Sequence, residues 1–184
     1  NIMSEPVDYQ KVFDESDLLH SEAEMHAALD RVAAEITKEH ADSQPLLLAV
    51  MVGGVVMMGH LATRLSFPLE IDYVHATRYR GETSGGDLHW YGYPKTALAG
   101  RNVILIDDIF DEGYTMKALC EYCESENVNS VQSAVLVNKV HDRKVEYRPN
   151  YVGLDIADRY VFGFGMDYQN HWRNAPGIYA VKGL

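Results

Sequence analysis

Three carboxylates within five residues, Asp107, Asp108 and Asp111, stand between the apolar run Val-Ile-Leu-Ile (103–106) and a loop carrying Gly113 and Thr115. Carboxylates accept hydrogen bonds from vicinal hydroxyls and attract hard cations. At the C-terminal end of a parallel strand they project into the crevice where α/β sheets bind ligands. A glycine-containing loop that opens a helix offers backbone N–H groups and a favourable dipole to a phosphate. The combination suits a ribose 5-phosphate, with hydroxyls at one end and a phosphate at the other. On this reading the strand stops at the acid pair and a helix begins around Met116. The competing reading is an ordinary strand–loop–helix with solvated acids.

Elements on either side must hold that segment in place. Ser21 and Glu24 form a capping box, and Met25, Leu29, Val32 and Ile36 recur at helical spacing, which predicts an amphipathic helix to about Lys38. Pro45 precedes an apolar run over 46–52 that reads as a buried strand, broken by Gly53 and Gly54 before a helix over 55–65. Further strands are expected at 69–74 and 131–137, with a helix over 115–126 and short apolar runs at 152–156, 160–164 and 178–181. Residues 78–97, rich in Gly, Thr, Ser and aromatics, read as a long mobile hairpin or loop. Strand–helix alternation implies parallel pairing with right-handed crossovers. The expected architecture is one α/β domain over 1–184, with a core of about 20–140 and a small hood from the N-terminal segment and about 141–184.

The 184 residues carry 47% apolar and 23% charged side chains, the balance of a soluble globular chain. A formal net charge of −11 weighs against general affinity for nucleic acid or acidic membranes. No apolar run approaches the roughly 18 residues of a membrane span. No basic segment followed by an apolar core opens the sequence, so cytoplasmic residence is the expectation. Cys120 and Cys123, the only cysteines, fall near one helical face. There they serve as reduced core thiols, the alternative being a zinc or redox pair.

The segment 103–115 resembles the PRPP-binding signature of type I phosphoribosyltransferases. Similarity to the hypoxanthine-guanine branch runs from about Leu46 to Arg173, through Val-Leu-Val-Asn-Lys (135–139), Tyr-Val-Gly-Leu-Asp-Ile-Ala-Asp (151–158) and Tyr-Val-Phe-Gly-Phe-Gly-Met-Asp-Tyr (160–168). The resemblance implies a central, mainly parallel twisted sheet flanked by helices under a small hood. It also implies Mg²⁺-dependent transfer of 5-phosphoribose from PRPP to N9 of hypoxanthine or guanine, giving IMP or GMP and pyrophosphate. No nucleic-acid or membrane partner is implied, and relatives assemble as homodimers or homotetramers.

Carried over by position, Asp107 and Asp108 would meet the ribose hydroxyls directly or through Mg²⁺, with Asp167 helping to hold the ion. Asp111 would be the general base. Backbone N–H groups of Glu112, Gly113, Tyr114 and Thr115, with the Thr115 hydroxyl, would hold the 5-phosphate; nothing is drawn from the Tyr114 side chain. Lys139 would donate to the purine 6-oxo group, Tyr160 would stack on the base, and the Val161 carbonyl would face its 2-substituent. Arg173, with Arg143 as a further candidate, would meet pyrophosphate, where a guanidinium fork suits bidentate contact.

Two positions depart from the branch. Val52 stands beside Gly53 in the pyrophosphate loop where many members have a basic residue; that loop often carries a non-proline cis peptide. Arg78 precedes Tyr79 where many relatives have Ser-Tyr, although Tyr79 could still close over the reaction centre. The alternatives are a xanthine-preferring transferase, a PRPP-responsive regulator and a binding-only relic.

Overall fold

The computed structural model describes residues 4–78 and 88–184. A six-stranded sheet, order β4-β3-β2-β5-β6-β7, organises them. Its strands are β2 (Leu46–Val50), β3 (Glu70–Arg78), β4 (Leu88–Gly92), β5 (Asn102–Phe110), β6 (Ser130–Lys139) and β7 (Tyr151–Ile156). All neighbours are parallel except β4, which runs antiparallel to β3. The central strands are apolar on both faces because both faces are covered. Leu47, Ala49, Ile104, Ile106, Ala134 and Leu136 point to α2 (Glu22–His40) and α3 (Gly54–Ala62). Leu46, Leu48, Val103 and Leu105 point to the opposite face, against Met116, Leu119 and Cys123 of α4 (Tyr114–Ser125). Alternate burial on consecutive residues is the period-2 pattern of a strand between two helical layers.

The capping box at Ser21 and Glu24 is present, and α2 buries Met25, Leu29, Val32 and Ile36 as expected. A separate antiparallel sheet, order β1-β9-β8, combines β1 (Asp17–His20), β9 (Ile178–Ala180) and β8 (Val161–Phe162). Beside it lies α1 (Tyr9–Glu15), with Phe13 stacked on Trp172 at 4.8 Å and the Trp172 indole N–H donating to the Tyr9 carbonyl. The N- and C-terminal segments therefore meet in one layer. The main sheet nevertheless extends past residue 140, since β7 forms its edge.

Three expectations are corrected. The signature strand does not stop at the acid pair: its ladder with β2 ends at Ile106, but pairing with β6 continues through Asp107, Ile109 and Phe110. The chain leaves β2 after Val50, and Gly53 and Gly54 cross over Ile106 and Asp108, so β5 loses its β2 partner while keeping β6. β3 runs to Arg78 rather than Val74, lengthened by antiparallel pairing with β4, the hairpin arm that is one of the two readings of 78–97. The apolar run at 160–164 keeps only two residues as strand, because Gly163, Phe164 and Gly165 adopt positive φ and fold back in a tight turn.

Candidate active site

At the C-terminal ends of the parallel strands, β5 carries Asp107 and Asp108 inward under a roof of glycines. A Cβ on Gly53 would lie 2.2 Å from Asp108 Oδ2, and one on Gly54 2.4 Å from the Ile106 carbonyl oxygen. Gly165, at φ +104°, presses on the Gly53 carbonyl from the other side. The peptide between Met51 and Val52, just before this crossing, is cis. Asp107 Oδ1 accepts the backbone N–H of Asp108 at 2.8 Å, and Asp108 Oδ1 accepts that of Ile109 at 2.7 Å. Each carboxylate therefore keeps one oxygen free of these bonds.

Burial pushes the Asp107 carboxyl well above the usual carboxylate range, and the charge of Asp108 adds to the effect. Burial also raises Asp108, while Arg173 acts in the opposite direction on both. Two adjacent, desolvated carboxylates ionise together at low cost only beside a cation. Hard oxygen donors of this kind fit Mg²⁺, which commonly takes one or two carboxylates together with substrate oxygens and water. Among the described residues no three His, Cys, Asp or Glu side chains converge as a ready cluster, so Asp167 is not joined to the pair as a preformed trio. Asp167 instead faces Arg173 at 3.6 Å and accepts the Asn170 N–H at 2.8 Å. Arg173 also donates to the Gly165 carbonyl at 2.7 Å, which ties it to the glycine roof.

Beyond the acid pair lies the loop into α4. Gly113, at φ +93°, is the N-cap and supplies no side-chain hydrogen bond, so Thr115 lies inside the helix rather than at its cap. The first-turn N–H groups are left open to an anion. This loop, with Asp107 and Arg78, lines one concavity; the Arg78 guanidinium lies 3.9 Å from the centre of the exposed Tyr114 ring. Asp108, Asp111, Lys139, Tyr160, Val161 and Asp167 line a second. Asp111 and Ile109 belong to both.

Most of the expected residues are thus brought together, and three are not accounted for at the site. Arg143, expected at pyrophosphate, closes its fork on Asp158 at 2.9 and 3.1 Å and lines neither concavity. Val52 is 47% exposed beside the glycine crossing, with an apolar side chain that has no donor to offer. Tyr79 lies outside the described residues, as does the 79–87 part of the expected mobile loop.

Two neighbours of Asp111 escape sequence reasoning. His141 Nε2 lies 2.6 Å from Asp111 Oδ1, and the Lys144 ammonium donates to the Asp111 carbonyl oxygen. Lys139 reaches Oδ2 at 3.5 Å. β6 ends at Lys139 and the chain bends after it, so no strand periodicity carries His141 toward Asp111 and local sequence held no signal for either neighbour.

Fold and site together define a mainly parallel α/β protein with an acid pair and an anion-receptive loop at its strand ends. The sequence model of the phosphoribosyl transferase domain matches residues 16–171, and the chain belongs to the phosphoribosyltransferase family. It is 34% identical over 166 residues to the hypoxanthine-guanine phosphoribosyltransferase of Streptococcus agalactiae, covering 90% of this chain and 92% of that one. The Bacillus subtilis enzyme of the same name is 31% identical over the same shares. A solved hypoxanthine phosphoribosyltransferase from Staphylococcus aureus superposes with a TM-score of 0.88 at 27% identity, covering 96% of this chain and 97% of that one. A hypoxanthine-guanine-xanthine phosphoribosyltransferase gives 0.84 at 28% identity, covering 92% and 99%. The architecture is the type I phosphoribosyltransferase fold that the resemblance implied.

Proposed function

We propose that this chain transfers 5-phosphoribose from PRPP to N9 of hypoxanthine or guanine in purine salvage, releasing IMP or GMP and pyrophosphate. The observation that carries this reading is the sharing of Asp111 by two concavities, one floored by the anion-receptive loop and one by Lys139, Tyr160 and Val161. A base in the second and a ribose phosphate in the first would meet at that carboxylate.

In this mechanism the open N–H groups of residues 112–115 and the Thr115 hydroxyl hold the 5-phosphate. Asp107 and Asp108 accept the ribose hydroxyls. The Lys139 ammonium donates to the 6-oxo group, which rejects adenine because an amine there is also a donor. Tyr160 lies against the base and the Val161 carbonyl faces its 2-position. N9 bonds to C1 of the ribose as the C1–oxygen bond breaks and pyrophosphate leaves with the electron pair. Asp111 accepts the proton the purine loses, help typically worth about 10²–10⁴-fold. Arg173, held beside the acid pair, lies ready for the departing pyrophosphate. Mg²⁺, when bound by Asp107 and Asp108 and through water by Asp167, would neutralise the leaving group's charge.

The proposal includes a single working unit over 1–184, cytoplasmic residence and assembly as a homodimer or homotetramer. Among the described residues no helix is long and apolar enough to cross a membrane. Exposed Tyr73 and Tyr91 on the β3–β4 ribbon, with Tyr93 just past its end, support assembly. The test offers hypoxanthine, guanine, xanthine and adenine separately with PRPP and Mg²⁺ and measures nucleotide formed. Turnover of the first two, with little of xanthine and none of adenine, is expected. Dominant xanthine turnover would move the specificity, and PRPP binding without turnover of any base would overturn the enzyme reading.

A further inference from the structure

His141 lies in the polar segment after β6, yet its side chain is only 4% exposed. Its two ring nitrogens have different partners. Nδ1 lies 3.0 Å from the backbone nitrogen of Arg143, and Nε2 lies 2.6 Å from Asp111 Oδ1. A backbone N–H can only donate, so Nδ1 is the acceptor and the ring hydrogen sits on Nε2. The bond to Asp111 therefore runs from imidazole to carboxylate. Arg143 supports this arrangement twice, through its N–H and through the fork on Asp158 that fixes the turn. Lys144 holds the carbonyl oxygen of Asp111 and that of Phe110, so the carboxylate's own backbone is tied as well.

Asp111 itself is 46% exposed on its side chain, a position where a carboxylate ordinarily samples several rotamers. His141 lines neither concavity, so it stands behind the carboxylate and not against a ligand. We propose that His141 is the positioning residue for Asp111. Its Nε2–H occupies Oδ1 and fixes the plane of the carboxylate, leaving Oδ2, on the Lys139 side, to face the base. The ring does not take the purine proton onward, because its one lone pair is already engaged by the Arg143 N–H. This is the familiar base-and-orienter pairing with the roles exchanged: the carboxylate accepts the proton and the imidazole aims it. The inference rests on the reading of Asp111 as proton acceptor.

Steady-state rates of His141→Phe and His141→Gln, with PRPP and each base varied, test it in the full chain. Phe fills the space but donates nothing, whereas the Gln amide can present an N–H near the position of Nε2. We expect His141→Phe to lower kcat about 10-fold with KM for PRPP within about 2-fold, the size of effect that losing one hydrogen bond to a charged group gives. His141→Gln should recover kcat to within about 3-fold of the parent. Equal losses in both variants, or a loss confined to KM for PRPP, would overturn the proposal. Should the buried substitution prevent folding, ¹⁵N NMR of the parent protein reads the tautomer directly. A protonated Nε2 that shifts in Asp111→Asn supports the assignment, and a protonated Nδ1 overturns it. Turnover in Asp111→Asn equal to the parent's would sink the reading of Asp111 and this inference together; normal dependence on Asp111 with a wrong tautomer would sink this inference alone.

Discussion

The three carboxylates of the signature occupy two unlike environments although five residues contain them all. Asp107 and Asp108 lie under Gly53, Gly54 and Gly165, and their hydrogen bonds come from backbone N–H groups of the same strand. Asp111 is half-exposed, and its partners are the side chains of His141 and Lys139 from the segment after β6. A carboxylate held by its own backbone in a glycine slot tolerates no added volume but needs no other residue to orient it. One held by distant side chains tolerates volume but depends on those partners for its aim. The inner half of the site should therefore fail through sterics and the outer half through chemistry.

The largest effect is expected at the outer half. Asp111→Asn keeps an oxygen for the His141 N–H and so keeps the side chain's orientation, while removing its capacity to accept a proton. We expect kcat to fall about 10²–10⁴-fold, with stability changed by less than about 1 kcal/mol because the group is half-exposed. Single-turnover rates and urea denaturation check the two halves of that statement. A variant that unfolds readily would show that Asp111 belongs with the inner acids, and the contrast would collapse.

Gly53→Ala probes the inner half. Gly53 has an ordinary right-handed backbone (φ −57°, ψ −35°), so alanine meets no conformational penalty there. Only room is lacking, with Asp108 Oδ2 at 2.2 Å and Cγ at 2.7 Å from the added methyl. Overpacking of this kind costs about 1–3 kcal/mol. In Gly53→Ala/Asp108→Ala the clash disappears, so most of the stability should return while turnover stays low. Failure of the second substitution to restore stability would mean that the slot is shaped by something other than the carboxylate.

Cys123 isolates burial from function. It is 1% exposed on the inner face of α4, and burial, reinforced by Cys120, pushes its thiol up to about 12 from an ordinary 9.0. An acid whose proton is held more tightly in the folded state stabilises that state fully below the unfolded value, and the contribution is lost as pH rises through the folded one. The parent should therefore lose stability more steeply than Cys123→Ala between pH 9 and about 12, with the two curves parallel below pH 9. Parallel curves throughout would show that burial at this depth does not raise an acid, and would remove the cause assigned to the raised carboxyls of Asp107 and Asp108.

How much of this was readable beforehand follows from the same division. The inner acids and the phosphate loop sit in one contiguous segment, so residue types and order reveal them without knowledge of the fold. β2, β5 and β6 were equally legible, each being an apolar run between helical segments. The acid pair lies within a strand rather than beyond it because β6 continues where β2 departs, a fact about neighbours that no local pattern encodes. α1 buries no residue and so has no apolar periodicity to detect, and β1 offers only Asp-Leu-Leu-His. Lys139, Tyr160 and Asp167 were found through family resemblance, since a lysine, a tyrosine and an aspartate scattered over 29 positions carry no physical signal of convergence. His141 had neither kind of signal, and its role rests on a hydrogen bond across 30 residues.

Arg78 marks the limit of the outer half. It is the last described residue before the segment at 79–87, and it lies over Tyr114, so two positions 36 apart in sequence share one contact. Arg78 also lines the concavity of the anion-receptive loop, and an exposed charge pair contributes up to about 1 kcal/mol, which corresponds to a KM for PRPP up to about 5-fold higher in Arg78→Ala. Arg78→Lys keeps the charge but loses the planar face, so it should fall between the parent and Ala. A change in kcat with either base, rather than in KM for PRPP, would place Arg78 with Asp111 and His141 in the chemical step. An effect on KM alone would leave it at the rim, where contacts adjust affinity and the carboxylates decide the reaction.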